Sequence, residues 1–299
     1  MGKMMDRRGF LRATCALGAA AGLRGAGLMA AEAPKGAANA GEKLGWHLGL
    51  AAYSYNPFTF YEVVEKTAAL GLRAVEGFTW QALSNEKPKV KTDASMSPDD
   101  RKEAKGRLAD AGVKLVSIYC AALDKEDACR KTFEFAKDMG IEFLVGEPPL
   151  TAYDMIEKLC DEFLISLAVH NHPQPSQYWS PDTLLKAAAG RSKRIGACCD
   201  TGHWVRSGLN PVECLKKLEG RVVSFHLKDV SEAGQKEAPC VAWGAGKGDI
   251  KGILAEARRQ GFKGYWPIEY EPYSADSPGK IAECVAFFDK AAAELAGTV

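Results

Sequence analysis

Two neighbouring stretches decide the fold, RIGACCDTGHW at residues 194–204 and RVVSFHLKD at residues 221–229. Each starts with a basic residue, continues as a short apolar run, and reaches acidic and imidazole side chains. The segment between them, Pro211–Leu218, is predicted to be a helix that ends before Gly220, where a left-handed glycine can close it. A strand, a helix and a second strand in this order predict parallel strands joined by a right-handed crossover.

The same unit repeats along most of the chain. Strands are predicted at residues 47–53, 73–78, 113–120, 141–146, 163–170, 194–200, 221–228 and 265–269. The intervening helices stop at glycines that suit left-handed caps, namely Gly71, Gly112, Gly140, Gly190, Gly220 and Gly261. Eight such repeats in about 250 residues predict an α/β fold of the (β/α)8 TIM-barrel type. The barrel is expected to be a single domain over residues 44–299.

Residues 1–33 are predicted to be an export signal that precedes this domain. DRRGFL at residues 6–11 is followed by an Ala/Gly/Leu-rich apolar run that ends in AEA, a small-x-small pattern suited to cleavage. Paired arginines in this context indicate a twin-arginine signal, so we expect an exported, periplasmic protein. The alternative is a membrane anchor. The run is short and contains Arg24, which disfavours a stable anchor. Residues 34–43 are predicted to be a linker.

Charge and composition count against other classes of protein. The formal net charge is +1, whereas a nucleic-acid partner usually requires a basic face, so no nucleic-acid partner is expected. The nine cysteines form no CxxC pair and show no disulfide-scaffold spacing. The segment GAGKGD at residues 244–249 lacks the spacing of a phosphate-binding loop. It is predicted to be the loop between the seventh strand and the next helix.

Polar side chains collect where the predicted strands end, and four of the five histidines are among them. In chain order these residues are Glu147, His170, His172, Asp200, His203, His226, Lys228 and Glu269. The carboxyl ends of the strands form the active site of such barrels, and clustered imidazole and carboxylate groups indicate a metal site or catalysis. Nitrogen and oxygen ligands without cysteine suit Mn, Zn, Co or Fe. We therefore predict one divalent metal ion, with Mg also open.

Four motifs carry a resemblance to a known family: His170-Asn171-His172, Asp200-Thr201-Gly202-His203, His226-Leu227-Lys228-Asp229 and Ile268-Glu269. The chain resembles the xylose isomerase-like barrels, which include sugar phosphate isomerases/epimerases, ketose 3-epimerases and inosose dehydratases. This resemblance covers nearly the whole predicted domain. It implies that Asp200, His226 and Glu269 bind the metal, while His203 and Lys228 face the substrate.

The fifth strand departs from the epimerase pattern. His170 stands where epimerases have a carboxylate that binds the metal and moves a proton, and in this respect the chain is similar to the inosose dehydratases. We predict His170 as the fourth metal ligand, with Glu147 left open as a ligand or a base. His172 lies two residues on, on the same side of an extended chain.

The expected chemistry is abstraction of a proton next to a carbonyl, through an enediolate. Glu147 and Glu269 are the candidate carboxylate bases, His172 or His203 the second proton-transfer group, and Lys228 the group that neutralises an oxyanion. The leading hypothesis is an isomerase or epimerase. A lyase or dehydratase acting on 3-keto-glycosides or inososes is the second, and a non-catalytic sugar-binding barrel the third. An endonuclease with several zinc ions is disfavoured by the neutral charge and the export signal.

The expected partner is a small sugar or keto-sugar without a phosphate group, and a homo-oligomer is left open. Aromatic residues near the strand ends are expected either to form a wall for sugar stacking or to pack under loops. They are Tyr53, Tyr55, Phe78, Trp80, Tyr178, Trp179, Trp204, Trp243 and Tyr273.

Overall fold

The computed structural model describes residues 38–297, so the predicted signal at residues 1–33 lies outside the described residues. Eight parallel strands follow one another around a barrel. In chain order β1 to β8 are Trp46–Ala51, Ala74–Phe78, Lys114–Tyr119, Phe143–Gly146, Ser166–His170, Ile195–Asp200, Val222–His226 and Gly264–Ile268. β8 pairs with β1, and the ring closes beyond β7, where Leu227 lies beside Ile268. The predicted (β/α)8 barrel is confirmed.

Helices lie before the first strand, between the strands and beyond the last of them. In chain order α1 to α10 are Ala38–Leu44, Phe60–Ala69, Pro98–Asp110, Glu126–Met139, Tyr153–Phe163, Pro181–Ala187, Thr201–Arg206, Pro211–Lys217, Ile250–Arg259 and Ser277–Ala296. Short 3-10 helices occupy Ala52–Tyr55 and Leu150–Ala152. α1 overlaps the segment predicted as a linker, residues 34–43, and packs against α10. Within residues 38–297, no helix combines the length and apolar character needed to cross a bilayer.

The helix boundaries follow local sequence signals. Thr59 and Glu62 form a reciprocal capping box at the start of α2, and the Ser97 side chain accepts a hydrogen bond at the start of α3. Both devices satisfy backbone donors that a helix leaves free at its first turn. All six glycines predicted to end helices have positive φ: Gly71, Gly112, Gly140, Gly190, Gly220 and Gly261. This left-handed conformation is the one that glycine adopts without steric cost.

The alternation of side chains along the strands separates an apolar barrel interior from a polar mouth. Ala168 and Cys198 belong to a small buried cluster with Phe143 and Val145. His170 and Asp200 follow Ala168 and Cys198 by two residues, so they point to the same side of their strands, one step nearer the carboxyl end. The barrel therefore presents its polar groups at the carboxyl ends of the strands, above a packed apolar layer.

The loop after β7 is organised by the buried carboxylate of Asp229. A two-stranded antiparallel ribbon, Asp229–Val230 with Cys240–Val241, opens the loop. Asp229 accepts backbone N–H groups from Gly244, Gly246 and Gly248 at 2.8–3.0 Å. These backbone N–H groups therefore donate to the Asp229 carboxylate and are not available to bind a phosphate. The assignment of GAGKGD as a connecting loop is borne out by its place before α9.

We expect Asp229→Ala to lower the free energy of unfolding by at least about 3 kcal/mol, because it leaves several buried backbone donors without an acceptor. Urea denaturation followed by circular dichroism measures this change. Asp124→Ala is the matched control, since Asp124 is exposed, and we expect it to change the free energy by no more than about 0.5 kcal/mol. Equal effects of the two substitutions would contradict the structural role of Asp229.

Candidate metal centre and active site

Four buried side chains meet at the mouth of the barrel. His170, Asp200 and His226 end β5, β6 and β7, and Glu269 directly follows β8. One ligand atom from each of the four lies within 4.8 Å of the others. His226 Nδ1 is 2.6 Å from Glu269 Oε2, and His170 Nε2 is 3.5 Å from Asp200 Oδ2. The structure thus brings together all four residues that the sequence proposes as metal ligands.

The facing atoms of this group form no directed hydrogen bond to any described residue, although they pair with one another at ion-pair distance and their two carboxylate oxygens lie within 3.5 Å of Lys228 Nζ. They are His170 Nε2, Asp200 Oδ2, His226 Nδ1 and Glu269 Oε2. Buried polar atoms are nearly always satisfied in folded proteins. Four such atoms, two imidazole nitrogens and two carboxylate oxygens, form a donor set that fits one divalent metal ion.

Glu76 orients the His226 ring from behind this group. Its Oε1 lies 2.6 Å from His226 Nε2, and its Oε2 accepts a hydrogen bond of 2.7 Å from the Ser117 hydroxyl. A carboxylate on one imidazole nitrogen fixes the tautomer and leaves the other nitrogen for the metal. Glu76 was not predicted as a site residue. The signal in the sequence that could have identified it is a lone glutamate inside the apolar strand AVEGF at residues 74–78.

His170 has a similar supporting carboxylate in Glu147. Glu147 Oε1 lies 3.4 Å from His170 Nδ1 and also contacts His172 Nδ1 closely, while Ser176 donates a hydrogen bond to Glu147 Oε2 at 2.8 Å. Burial raises the pKa of Glu147, but its contacts with the two histidines outweigh burial, and the pKa lies well below its usual value. Glu147 is therefore an ionised carboxylate beside the ligand group, and the half-exposed His172 faces solvent.

Lys228 is wholly buried among carboxylates. Its Nζ lies 3.0 Å from Asp200 Oδ2, 3.5 Å from Glu269 Oε2 and 2.8 Å from Glu271 Oε1. The sequence analysis expected Lys228 to face the substrate, but the structure turns its ammonium group toward these three acids. The sequence analysis did not single out Glu271. Glu271 stands two residues after Glu269, on the same side of an extended chain.

His203 borders the same cluster. Its backbone N–H donates to Asp200 Oδ1 at 2.8 Å, and its side chain lies 3.2 Å from Arg206 and 3.4 Å from Lys228. Burial holds the pKa of His203 well below its usual value, and Lys228 adds to this effect against the opposing charge of Asp200. His203 is therefore neutral, and Arg206 beside it is paired with Glu271 at 2.7 Å.

A cavity of about 170 Å³ opens above these groups. Tyr53, Phe78 and Trp80 line it, together with Tyr119, His172 and Glu271 and with three of the four proposed ligands. Tyr119 was not predicted; it stacks on Phe78 with ring centroids 5.4 Å apart and meets the His170 ring edge-on. Of the other aromatic residues named from the sequence, Tyr178, Trp204 and Trp243 are buried in the core.

A sequence model of the xylose isomerase-like TIM barrel family matches residues 64–291. The match spans most of the chain and includes every residue of the proposed metal group. The chain therefore belongs to the xylose isomerase-like TIM barrel family. None of the curated proteins matches the chain.

Solved structures agree with this assignment. An uncharacterised protein from Parabacteroides distasonis is 30% identical, with a TM-score of 0.67 over 82% of this chain and 98% of its own. A Mycobacterium smegmatis barrel of the same family, solved with magnesium, is 15% identical, with a TM-score of 0.68 over 84% and 98%. A D-tagatose 3-epimerase-like protein is 17% identical, with a TM-score of 0.64 over 83% and 99%. The last two likenesses show the fold.

Metal analysis of the purified protein should find about one divalent ion per chain, because one set of four donors converges at the mouth. We expect Asp200→Ala combined with His226→Ala to abolish binding. His47→Ala is the matched control, since His47 lies near the amino end of β1 and pairs with Glu42. A wild-type protein that is folded, active and free of metal would contradict the site.

Glu76→Leu should weaken metal binding about 10- to 100-fold, since it removes the carboxylate that holds His226. Glu76→Gln should cost less because its amide oxygen can still accept the imidazole proton. Competition with a chromophoric chelator measures both affinities. Glu65→Leu is the control at an exposed glutamate of α2. Unchanged metal affinity in both Glu76 variants would contradict the role of Glu76 in holding the His226 ring for metal binding.

Proposed function

We propose that the protein is a metal-dependent isomerase or epimerase that removes a proton next to the carbonyl of a sugar or keto-sugar without a phosphate group. The observation that carries this proposal is the convergence of four buried imidazole and carboxylate atoms at the floor of an aromatic-lined cavity. The family assignment supports an enzyme of this kind, and the export signal proposed for residues 1–33 supports a substrate found outside the cytoplasm.

His170, Asp200, His226 and Glu269 would hold the metal. When bound there, a divalent ion supplies Lewis-acid polarisation of a carbonyl or neighbouring hydroxyl oxygen. The charge of the cluster supports this assignment. Five carboxylates lie in it, with Lys228 and Arg206 as the permanent cations that contact them. The carboxylates are Glu76, Glu147, Asp200, Glu269 and Glu271. Metal binding requires neutral histidines, and with His170 and His226 neutral the negative charges exceed the positive ones, which a divalent cation would offset.

Glu147 and His172 are the proposed proton-transfer pair. Glu147 is ionised and is held by Ser176. It contacts His172, which lines the cavity, and through this contact it would act as the general base. His172 lines the cavity and is 47% exposed, so it can exchange a proton with substrate on one side and solvent on the other. Lys228 balances the charge of the carboxylates rather than contacting the substrate.

One observation favours the lyase alternative. On the opposite side of the cavity, Glu271 is tied to Lys228 at 2.8 Å and to Arg206 at 2.7 Å. Unlike the histidines beside Glu147, these two cations keep their charge, so Glu271 is a weak base, whereas epimerisation needs proton donors or acceptors on both faces of the reacting carbon. Elimination of a β-substituent needs one base and one acid, which Glu147 and His172 can provide together.

The test is incubation of the metal-loaded protein with a panel of keto-sugars in D2O. We expect deuterium at the carbon next to the carbonyl, detected by NMR, because proton abstraction is common to the isomerase, epimerase and lyase reactions. Product analysis then separates an epimer or isomer from an elimination product. No exchange with any member of a broad panel would favour a sugar-binding barrel without catalysis.

Glu147→Gln should slow this exchange about 10²- to 10⁴-fold, the usual contribution of a general base, while the bound metal is retained. Glu162→Gln is the matched control, since Glu162 pairs with Arg130 on the outer surface. If Glu147→Gln exchanges deuterium at the wild-type rate, Glu147 is not the base.

A further inference from the structure

A second cavity adjoins the one above the metal group. It measures about 180 Å³ and lies between the loops that follow β1 and β2. Tyr53, Phe78 and Trp80 line both cavities, so these three aromatic side chains separate them and form a shared wall. Sites for small molecules usually occupy about 300–1,000 Å³. Neither cavity reaches that size alone, whereas the two together do.

Trp80 presents apolar surface at this wall. Its side chain is 43% exposed, and it is one of three large hydrophobic residues that stand out at the surface of the described chain. Its ring meets Phe78 and Tyr119 edge-on, with centroids 5.0 and 5.6 Å apart. These two aromatic neighbours hold the indole in place, so the exposed surface of Trp80 has a fixed position. An exposed aromatic face beside a cavity is typical of a binding site.

Gln81 lines the second cavity and carries a buried acceptor without a partner in the described part of the chain. Its residue exposure is 8%, and its Nε2 donates to the Phe58 carbonyl at 3.1 Å. Because that carbonyl can only accept, the amide orientation is fixed and Oε1 is the free end. Oε1 is buried and has no partner among the described residues. A buried acceptor without a donor is costly, and a hydroxyl group of a ligand would satisfy it.

The second cavity is also uncharged. The residues of the described chain that line it are aliphatic, aromatic or carry neutral polar groups, with Asn56, Thr59 and Gln81 as the non-aromatic polar ones. A phosphate or carboxylate group would find no cation among these lining residues. The fitting ligand is therefore neutral, carries hydroxyl groups and has an apolar face.

We propose that the substrate has two rings, a reacting keto-sugar ring above the metal group and a neutral second ring in the Gln81 cavity. This inference rests on the proposed function and narrows its substrate class to glycosides and disaccharides. The similar volumes of the two cavities allow one ring in each. Trp80 lies between them and packs against the apolar face of the second ring, and Gln81 Oε1 accepts one of its hydroxyl groups.

The experiment compares ligands with one and two rings on the metal-loaded protein. Isothermal titration is carried out with glucose and with a panel of cellobiose, maltose, trehalose and phenyl β-glucoside, which lack the keto group and are not expected to react. We expect at least one two-ring ligand to bind about tenfold tighter than glucose, the scale of one aromatic contact plus one hydrogen bond. If none binds tighter than glucose, the proposal is overturned.

Two variants test which residues are responsible for the tighter binding of two-ring ligands. Trp80→Ala and Gln81→Leu should each remove most of the preference for two rings, measured as the ratio of the two-ring and one-ring affinities. Gln81 lines the second cavity and not the first, so Gln81→Leu should also leave glucose binding within about twofold of the wild type. Leu150→Ala is the matched control at an exposed apolar residue away from both cavities. Circular dichroism confirms folding, and the affinity ratio of Trp80→Ala decides if Gln81→Leu is unfolded. Equal losses for one-ring and two-ring ligands would overturn the proposal.

The outcomes also separate this inference from the proposed chemistry. Preferential binding of two-ring ligands that depends on Trp80, without deuterium exchange into any keto-sugar, would keep the second subsite and refute the proton abstraction. Exchange into 3-ketoglucose and 3-ketocellobiose at equal kcat/KM, with no tighter binding of the two-ring ligands, would keep the chemistry and refute the second subsite.

Discussion

The site depends on the ammonium group of Lys228, which lies between three acids inside the barrel mouth. Asp200, Glu269 and Glu271 each approach its Nζ within 3.5 Å. Removing one partner of a buried ion pair typically costs about 3–5 kcal/mol, because the remaining charge is left unpaired. Lys228 and the three acids therefore stabilise one another, since loss of either side would leave buried charges unpaired. This arrangement holds Asp200 and Glu269 in their ionised forms next to the imidazole groups that complete the ligand set.

The position of Lys228 explains why the DTGH motif at residues 200–203 and the HLKD motif at residues 226–229 occur together. Gly202 of the DTGH sequence lies against the Lys228 side chain, and a Cβ at Gly202 would stand 2.6 Å from Lys228 Cγ. The Thr201 hydroxyl donates to the Lys228 carbonyl at 2.7 Å and accepts from the Lys228 N–H at 3.0 Å. The loop after β6 is thus fitted to the end of β7. Glycine is needed at residue 202 for close packing, not for an unusual backbone conformation.

The barrel could be predicted from the sequence, because alternating strands and helices that end at glycines are local patterns. The sequence was also sufficient to predict that the four candidate ligands lie together, because the carboxyl ends of parallel strands meet at one end of a barrel. Glu76 and Tyr119 could not be placed in this way, since their roles depend on which strands are neighbours of β7 and β5 across the mouth. The orientation of Lys228 depended on Glu271, whose contacts the pattern does not reveal.

His170 shows how the replacement of a carboxylate by an imidazole changes the site. A glutamate in its place would add a further negative charge beside Asp200 and Glu269, with Lys228 as the cation in contact with both. As a metal ligand the imidazole would be a neutral donor, and the nearest carboxylate lies one step outward, in Glu147 behind it. In the proposed function His170 would hold the metal and Glu147 would transfer the proton. The base and the ligand, which are one residue in the epimerase pattern, would then be two residues with separate tasks.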